Sequence, residues 1–424
     1  MNIGFNMKDI LVRISSFFTI FILIIGISVS SVISSNIIDK KLPFRTDHQE
    51  IDFDKKIEEL MKDAHMPSLV ACIVKNNTMA WSNAYGFYRY YQNKITSEEI
   101  IYPIASITKS FTATAIMQLN ESGKIGLDDN ISKYLNFDLK NPYYKNINIT
   151  PRMLLAHQSS LADNSYRYNI IFFWLKYPMD NFEEYFIPGG KIYNNKIWKD
   201  YPPGNASEYC TTGFEILGYI IEKITNQSIE DYYQENIFKP LNMTNTSFYV
   251  SNFNKSRICG LYIWLGGFYI PIPIIDYGFP AGGGIKTTLL DLSHYLIMHT
   301  NSGVYDGVRI LKEESVDEMH RIQYPGSYDG KALHGLGWYS FPSRNCENYS
   351  KELEYGGHMG SYVGAQSLMH LRYSDNMGII LLWNQNSDYI NDFLNIKRPD
   401  ERYARIEIEK ALFNKADKLI IINN

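Results

Sequence analysis

The stretch IASITKSFTATAIMQL, residues 104–119, places a hydroxyl at Ser106 and an amine at Lys109, three residues apart. Its apolar spacing predicts a helix over Ser106 to Ser122, opening on this pair. Serine commonly caps helices and lysine is a common surface residue, so the pair alone reads equally well as an ordinary helix start. In a chain this long, about one or two S-x-x-K matches arise by chance. The segments around the pair decide what it does.

The chain has 424 residues, 45% of them hydrophobic and 14% aromatic, enough for a large core and unlike a disordered polypeptide. A formal net charge of -4, with no basic run, gives no electrostatic case for nucleic acid. Cys72, Cys210, Cys259 and Cys346 are scattered, without a C-x-x-C pair or clustered histidines. Neither a zinc site nor a disulfide framework is indicated.

Ile14 to Ile33 is a nearly continuous uncharged apolar run preceded by Lys8 and Arg13. It is long enough for a membrane span, which takes about 20 residues, and its Ser-rich exit also suits a cleaved export signal. Positive charge lies on both sides (Lys8, Arg13; Lys40, Lys41, Arg45), so flanking charge does not set an orientation. The expectation is an uncleaved anchor with the body outside the cytoplasm, or a secreted protein if the segment is cut.

The body reads as strand-rich ends around a helical middle. LVACIVK (Leu69 to Lys75) and TMAWSNAYG (Thr78 to Gly86) form a predicted hairpin at Asn76-Asn77, residues that tolerate positive φ. SYVGAQSLMHLR and MGIILLWNQ (Met377 to Gln385) form another across YSDN, and strands from both ends are expected in one sheet. Helical patterns cover Thr212 to Thr225, Ile229 to Phe238, Leu289 to His299, Glu313 to His320 and Glu401 to Ala411, the last expected to lie on that sheet. The segment from Ile258 to Ile275, ICGLYIWLGGFYIPIPII, is uncharged, and its glycines and prolines argue for an apolar hairpin turning at Gly266-Gly267. It would pack in the core, line a pocket or touch a membrane.

The blocks IYPIASITKSFTATAIMQLNESGKIGLDDNISKYL, INITPRMLLAHQSSL, YPPGNASEYCTTGFEILGYIIEKIT, IFKPLNMTNTSF, FPAGGGIKTTLLDL, HGLGW and YGGHMGSYVGAQ follow one another from about Asp54 to Asn386. In content and order this series resembles the serine β-lactamase-related family. That family includes class C β-lactamases, D-stereospecific peptidases and penicillin-recognising esterases.

The resemblance implies that Ser106 is a nucleophile and Lys109, one helical turn on and on the same face, its base. A lysine serves as a base near neutral pH only if burial or a neighbouring positive dipole lowers its pKa. The family's Tyr-x-Asn motif falls on Tyr209 and Thr211, Tyr209 being the implied proton relay between nucleophile and leaving group. Thr211 departs from the pattern, since a hydroxyl lacks the amide's paired donor and acceptor, which weakens the case for a lactam substrate. His358-Met359-Gly360 matches the third motif: the imidazole would donate a hydrogen bond or carry charge, and Gly360 would let the strand approach the substrate. Ser361 would supply a backbone N–H which, with that of Ser106, makes an oxyanion hole. His157, Ser160 (at a family glycine position), Pro280, Gly282 and Gly283 read as shaping loops.

These readings give a mixed α/β fold of β-lactamase/transpeptidase type: a mostly antiparallel sheet flanked by helices, a helical subdomain, and a site between them. Residues 1–35 form the anchor or signal segment, 36–53 a linker, 54–390 the hydrolase domain and 391–424 a C-terminal helix and tail. The expected reaction is two-step acyl transfer on an ester, amide or D-amino peptide carbonyl, esterase or peptidase action being favoured over lactam cleavage. It needs no metal or organic cofactor. A small-molecule or peptide acyl substrate and the membrane are the expected partners, nucleic acid is not, and the oligomeric state is open. The competing reading is a catalytically silent extracellular binding or assembly module, favoured by Thr211 and the apolar segment and opposed by Ser106, Lys109, Tyr209 and His358 occurring together.

Overall fold

A computed structural model describes residues 48–163, 183–190, 193–278, 280–323, 333–342, 353–388 and 401–419. The apolar run 14–33 and Cys346 lie outside the described residues. Among the described residues no helix is long and apolar enough to cross a membrane.

Ser68–Lys75, SLVACIVK, is a strand because its β-branched and apolar residues can be buried on both faces of a sheet. It pairs antiparallel with Thr78–Arg89 across Asn76 and Asn77, whose φ values of 51° and 59° make the tight turn. On its other side it pairs antiparallel with Met377–Trp383, Leu69 opposite Trp383. Strands from both ends of the body thus share one sheet, which among the described residues has eight strands ordered 333–334, 339–342, 353–362, 365–372, 377–383, 68–75, 78–89, 94–95. The second expected hairpin joins Ala365–Arg372 to Met377–Trp383. SYVGAQSLMHLR is not one strand: the chain turns at Val363-Gly364, where Gly364 has φ 82°, and Ser361 and Tyr362 end the preceding strand.

Alternation along the central strand sorts the two layers. Leu69, Ala71 and Ile73, with Ile379, Leu381 and Trp383, pack against helices His48–Asp63 and Glu401–Lys418. Val70, Cys72 and Val74, with Ile380 and Leu382, face the main core, which includes helix Leu289–Thr300 and the helical subdomain. The C-terminal helix therefore lies on the shared sheet, and it extends seven residues beyond Ala411, to Lys418. In the segment expected to be helical over Ile229 to Phe238, the last five residues, Gln234–Phe238, form a π-turn.

The apolar segment forms the hairpin Leu261–Leu265 with Phe268–Ile272, turning at Gly266 and Gly267 with φ 60° and 89°. Leu261, Tyr262 and Ile263 are buried, and Trp264 stacks on His65 with centroids 4.0 Å apart. Trp264 is thus committed to the body of the protein, while Phe268 at the turn is exposed. Cys72, Cys210 and Cys259 are buried free thiols.

Candidate active site

Strand Tyr102–Pro103 pairs with Lys286–Thr287 and delivers the chain to a tight turn. Ala105 takes φ 44°, a left-handed conformation that costs a residue with a Cβ about 1–3 kcal/mol and persists only where its surroundings fix it. They do: Ile104 N–H donates to the Ile285 carbonyl at 3.0 Å, and Ser367 Oγ donates to the Ile104 carbonyl at 2.8 Å. A short 3-10 turn, Ala105–Ile107, then leads into helix Thr108–Glu121. Ser106 is left half-buried while Ile104, Ala105, Ile107 and Lys109 are buried.

Lys109 Nζ lies 3.1 Å from Ser106 Oγ and donates to the Gly282 carbonyl at 2.6 Å. Two aromatic faces flank the amine, the Tyr209 ring with its centroid at 5.0 Å and the Phe214 ring at 5.7 Å. Tyr209 precedes helix Thr211–Thr225, whose start is fixed from outside. The Asp163 carboxylate accepts from Thr211 N–H at 2.7 Å, Thr212 N–H at 3.2 Å and the Thr212 hydroxyl at 3.1 Å, satisfying N–H groups that a helix start leaves without partners. His157 Nδ1 accepts from Cys210 N–H at 3.0 Å, so its ring proton resides on Nε2.

The third wall is strand Leu353–Tyr362. Its partner strand Tyr339–Pro342 reaches only as far as Gly357, and the remainder runs past the Ser106 turn. A Cβ on Gly360 would fall 2.1 Å from the Ile104 oxygen, so only glycine lets the strand come this close. Ser361 is exposed, and its Oγ accepts from Asn386 Nδ2 at 2.8 Å. His358 is buried with its ring 6.4 Å from Tyr209 and 4.5 Å from Tyr339.

The imidazoles of the site are held neutral. Burial, then the charge of Lys109, puts His358 well below the usual histidine range. Burial does the same to His157, reinforced by His334 and Lys109, and burial pushes His334 down to about 4. His358 Nδ1 lies 2.7 Å from the Met359 carbonyl and so carries the proton, leaving Nε2 as a buried acceptor without a partner among the described residues. Of the two expectations for His358, donation of a hydrogen bond is met through Nδ1 to the Met359 carbonyl, whereas carrying charge is corrected, because burial first and Lys109 second disfavour the imidazolium.

Ser106, Lys109, Tyr209 and His358 thus meet at one seam between the sheet and the helical layer. Thr211 joins them through its methyl group, which a Cβ built on Gly282 would meet at 2.5 Å. Ser160 takes φ 58° at the family's glycine position, and its hydroxyl accepts from Asn141 Nδ2 at 2.8 Å, fixing a turn that glycine would adopt without strain. Asp163, Glu215, His334 and Tyr339 also belong to the site and were not singled out in the sequence. The signals were there for two: Glu215 is a carboxylate inside the apolar run TTGFEILGYII, and Asp163 ends the block HQSSLAD.

The chain is 28% identical to "Protein flp" of Staphylococcus aureus (strain N315) over 347 residues, 81% of this chain and 65% of that one. It therefore spans about two thirds of the length of these relatives. It is 29% identical to "Beta-lactamase-like protein 2" of Dictyostelium discoideum over 259 residues, 59% of this chain and 45% of the other. Among solved structures, the octameric penicillin-binding protein homologue of Pyrococcus abyssi superposes with a TM-score of 0.67 at 27% identity, covering 83% of this chain and 79% of that one. A D-stereospecific amidohydrolase from Streptomyces sp. shares the fold with a TM-score of 0.60 at 22% identity, over 81% and 95% of the two chains. The beta-lactamase family model matches residues 53–397, which take in the sheet, the helical layer and every wall of the seam. The protein belongs to the beta-lactamase family.

Proposed function

We propose that the protein is a serine hydrolase that cleaves acyl compounds through a covalent intermediate on Ser106. The observation that carries this reading is the 3.1 Å approach of Lys109 Nζ to Ser106 Oγ at a strained helix start. The mechanism requires Lys109 to give up a proton to solvent before attack, keeping one N–H on the Gly282 carbonyl and turning the freed lone pair to the Ser106 hydroxyl. Ser106 Oγ then bonds to the substrate's carbonyl carbon as its proton passes to Lys109. Backbone N–H groups of Ser106 and Ser361 would stabilise the resulting oxyanion. The carbonyl re-forms as the bond to the leaving group breaks, and Tyr209, beside the Lys109 amine, passes that group its proton. Water attacks the acyl-enzyme by the reverse route, releasing the acid and restoring the Ser106 hydroxyl.

Two features support short esters or small D-amino peptides over lactams. Thr211 stands where an asparagine amide would grip an acylamide side chain, and its methyl faces Gly282. His358 is neutral and offers an acceptor, so it supplies no cation for a substrate carboxylate. Anchoring through residues 14–33, with the body outside the cytoplasm, is proposed from the sequence alone, and membrane fractionation of the full chain tests it.

Labelling with a fluorophosphonate, mapping of the adduct, and kcat/KM for a p-nitrophenyl ester series, a D-amino amide and nitrocefin test the reading. The expected result is an adduct on Ser106 and faster turnover of short esters or D-amino amides than of nitrocefin. An adduct elsewhere sinks the mechanism, and nitrocefin as the best substrate reverses the substrate preference.

A further inference from the structure

Helix Thr211–Thr225 carries a single carboxylate in its apolar middle, Glu215, and that side chain is buried. A buried carboxylate persists where specific partners compensate its lost hydration. Glu215 has two such partners, both on the loop between Pro280 and Gly284. Its oxygens accept from Ala281 N–H at 3.1 Å and from Gly282 N–H at 2.9 Å. Gly282 is thereby gripped on both sides, because its carbonyl accepts from Lys109 Nζ at 2.6 Å. Lys109 in turn meets Ser106 at 3.1 Å.

The loop has a second, separate hold. Thr112 Oγ1 donates to the Ala281 carbonyl at 2.6 Å and accepts from the Tyr233 hydroxyl at 2.7 Å. That bond fixes where the loop sits on helix Thr108–Glu121, whereas the Glu215 bonds fix how Gly282 is turned. A rotation there would swing the carbonyl away from Lys109 and release the amine from Ser106.

We propose that Glu215 is a positioning residue for acyl transfer at Ser106: its carboxylate holds the Ala281 and Gly282 N–H groups so that the Gly282 carbonyl aims the Lys109 amine. This rests on the reading of Ser106 as the nucleophile. The groups that face Glu215 are Lys109 on one helix, Asp163 on the preceding loop and Tyr233 on the neighbouring helix. Burial raises the Glu215 carboxyl to about 8, opposed by Lys109 and by the two N–H groups. The ionised form is the stronger acceptor, so the grip tightens as pH rises through that value.

The test compares wild type, Glu215→Gln and Glu215→Asp by the rate of fluorophosphonate labelling at Ser106 and by kcat and KM on a short ester, from pH 6.5 to 9. Glu215→Gln should lower the labelling rate and kcat about 100-fold at pH 9, the cost of about 1 Å of misplacement, with KM close to wild type. The deficit should shrink toward pH 6.5, where the wild-type side chain is itself neutral. Glu215→Asp keeps the charge and should keep the pH-dependent rise, to a lower plateau. A Glu215→Gln enzyme as fast as wild type at pH 9, or one equally impaired at every pH, overturns the proposal. If Glu215→Gln does not fold, Glu215→Asp decides, and a wild-type rate in that variant is equally fatal. A wild-type protein that never labels at Ser106 removes the nucleophile reading and this proposal with it, whereas a labelled wild type beside an unimpaired variant removes this proposal alone.

Discussion

Gly360 approaches the carbonyl of Ile104 so closely that a Cβ at residue 360 would lie 2.1 Å from that oxygen and 2.3 Å from Ser367 Oγ. The contact sets the width of the seam, because Ile104 stands two residues before Ser106 and Ser361 follows Gly360. Gly360→Ala must push the strand away from the turn. The expected outcome is a loss of about 100-fold in kcat/KM for a short ester, since about 1 Å of displacement costs that much. Ser367→Ala, which removes the hydroxyl bonded to the same carbonyl, should cost much less, because it introduces no clash. Equal kcat/KM for Gly360→Ala and wild type would show that the strand edge does not serve the reaction.

Ser106 and Lys109 should fail together. Groups acting as one unit lose nearly the whole rate when either is removed. Ser106→Ala and Lys109→Ala are each expected to abolish fluorophosphonate labelling while near-UV circular dichroism stays that of wild type. Full labelling of Ser106→Ala, or a Lys109→Ala protein labelled at the wild-type rate, contradicts the pairing.

Much of this architecture was legible in the sequence because it depends on local chemistry. Asn76-Asn77 and Asn376 take positive φ at the two hairpin turns, and the alternation in SLVACIVK divides two cores. The S-x-x-K spacing needs only one helical turn to bring Lys109 to Ser106. The less legible parts depend on contacts distant in sequence. Asp163 reaches the helix start 48 residues later, and Glu215 holds a loop 66 residues away. Neither reach has a periodicity to reveal it. The neutral state of His358 was hidden for the same reason, since it follows from burial beside Lys109 rather than from the tripeptide around it.

Asp163 should prove important for stability and for the placement of Tyr209. Its carboxylate accepts from Thr211 N–H, Thr212 N–H and the Thr212 hydroxyl, and the Cys210 thiol lies 3.4 Å away. Asp163→Ala is expected to cost about 2 kcal/mol by urea unfolding, the upper end for a lost helix cap. Because Tyr209 stands two residues before that helix, kcat should fall as well. A variant with wild-type stability would show that water replaces the cap.

Thr211→Asn tests the substrate preference. An asparagine adds an amide donor and acceptor where the methyl now faces Gly282. The expected outcome is a rise in kcat/KM for nitrocefin relative to a short ester. If the ratio of the two is unchanged, Thr211 does not set the preference, and the acyl specificity lies elsewhere in the seam.

The buried histidines should make the fold acid-sensitive. His157, His299 and His358 are held well below the usual histidine range by burial, His334 is pushed to about 4 and His320 to about 3. Each takes up a proton near pH 6.5 when unfolded but resists it when folded, so the unfolded state binds more protons below that pH. Their contribution is complete above about pH 6.5 and is lost as pH falls toward 4 and then 3. Each histidine should add about 1.4 kcal/mol per pH unit within its window. Glu215 works in the opposite sense: its carboxyl is raised to about 8, so the stability it contributes in acid is lost as pH rises from the ordinary glutamate range through 8. Urea unfolding should therefore show a decline from pH 6.5 to 5. His320→Phe probes this cluster: it keeps an aromatic ring against Trp338 but removes the proton uptake of His320 and its 3.1 Å hydrogen bond to His299 Nδ1. That variant should lose about one proton from the pH dependence; an unchanged slope would place the acid sensitivity in the carboxylates instead.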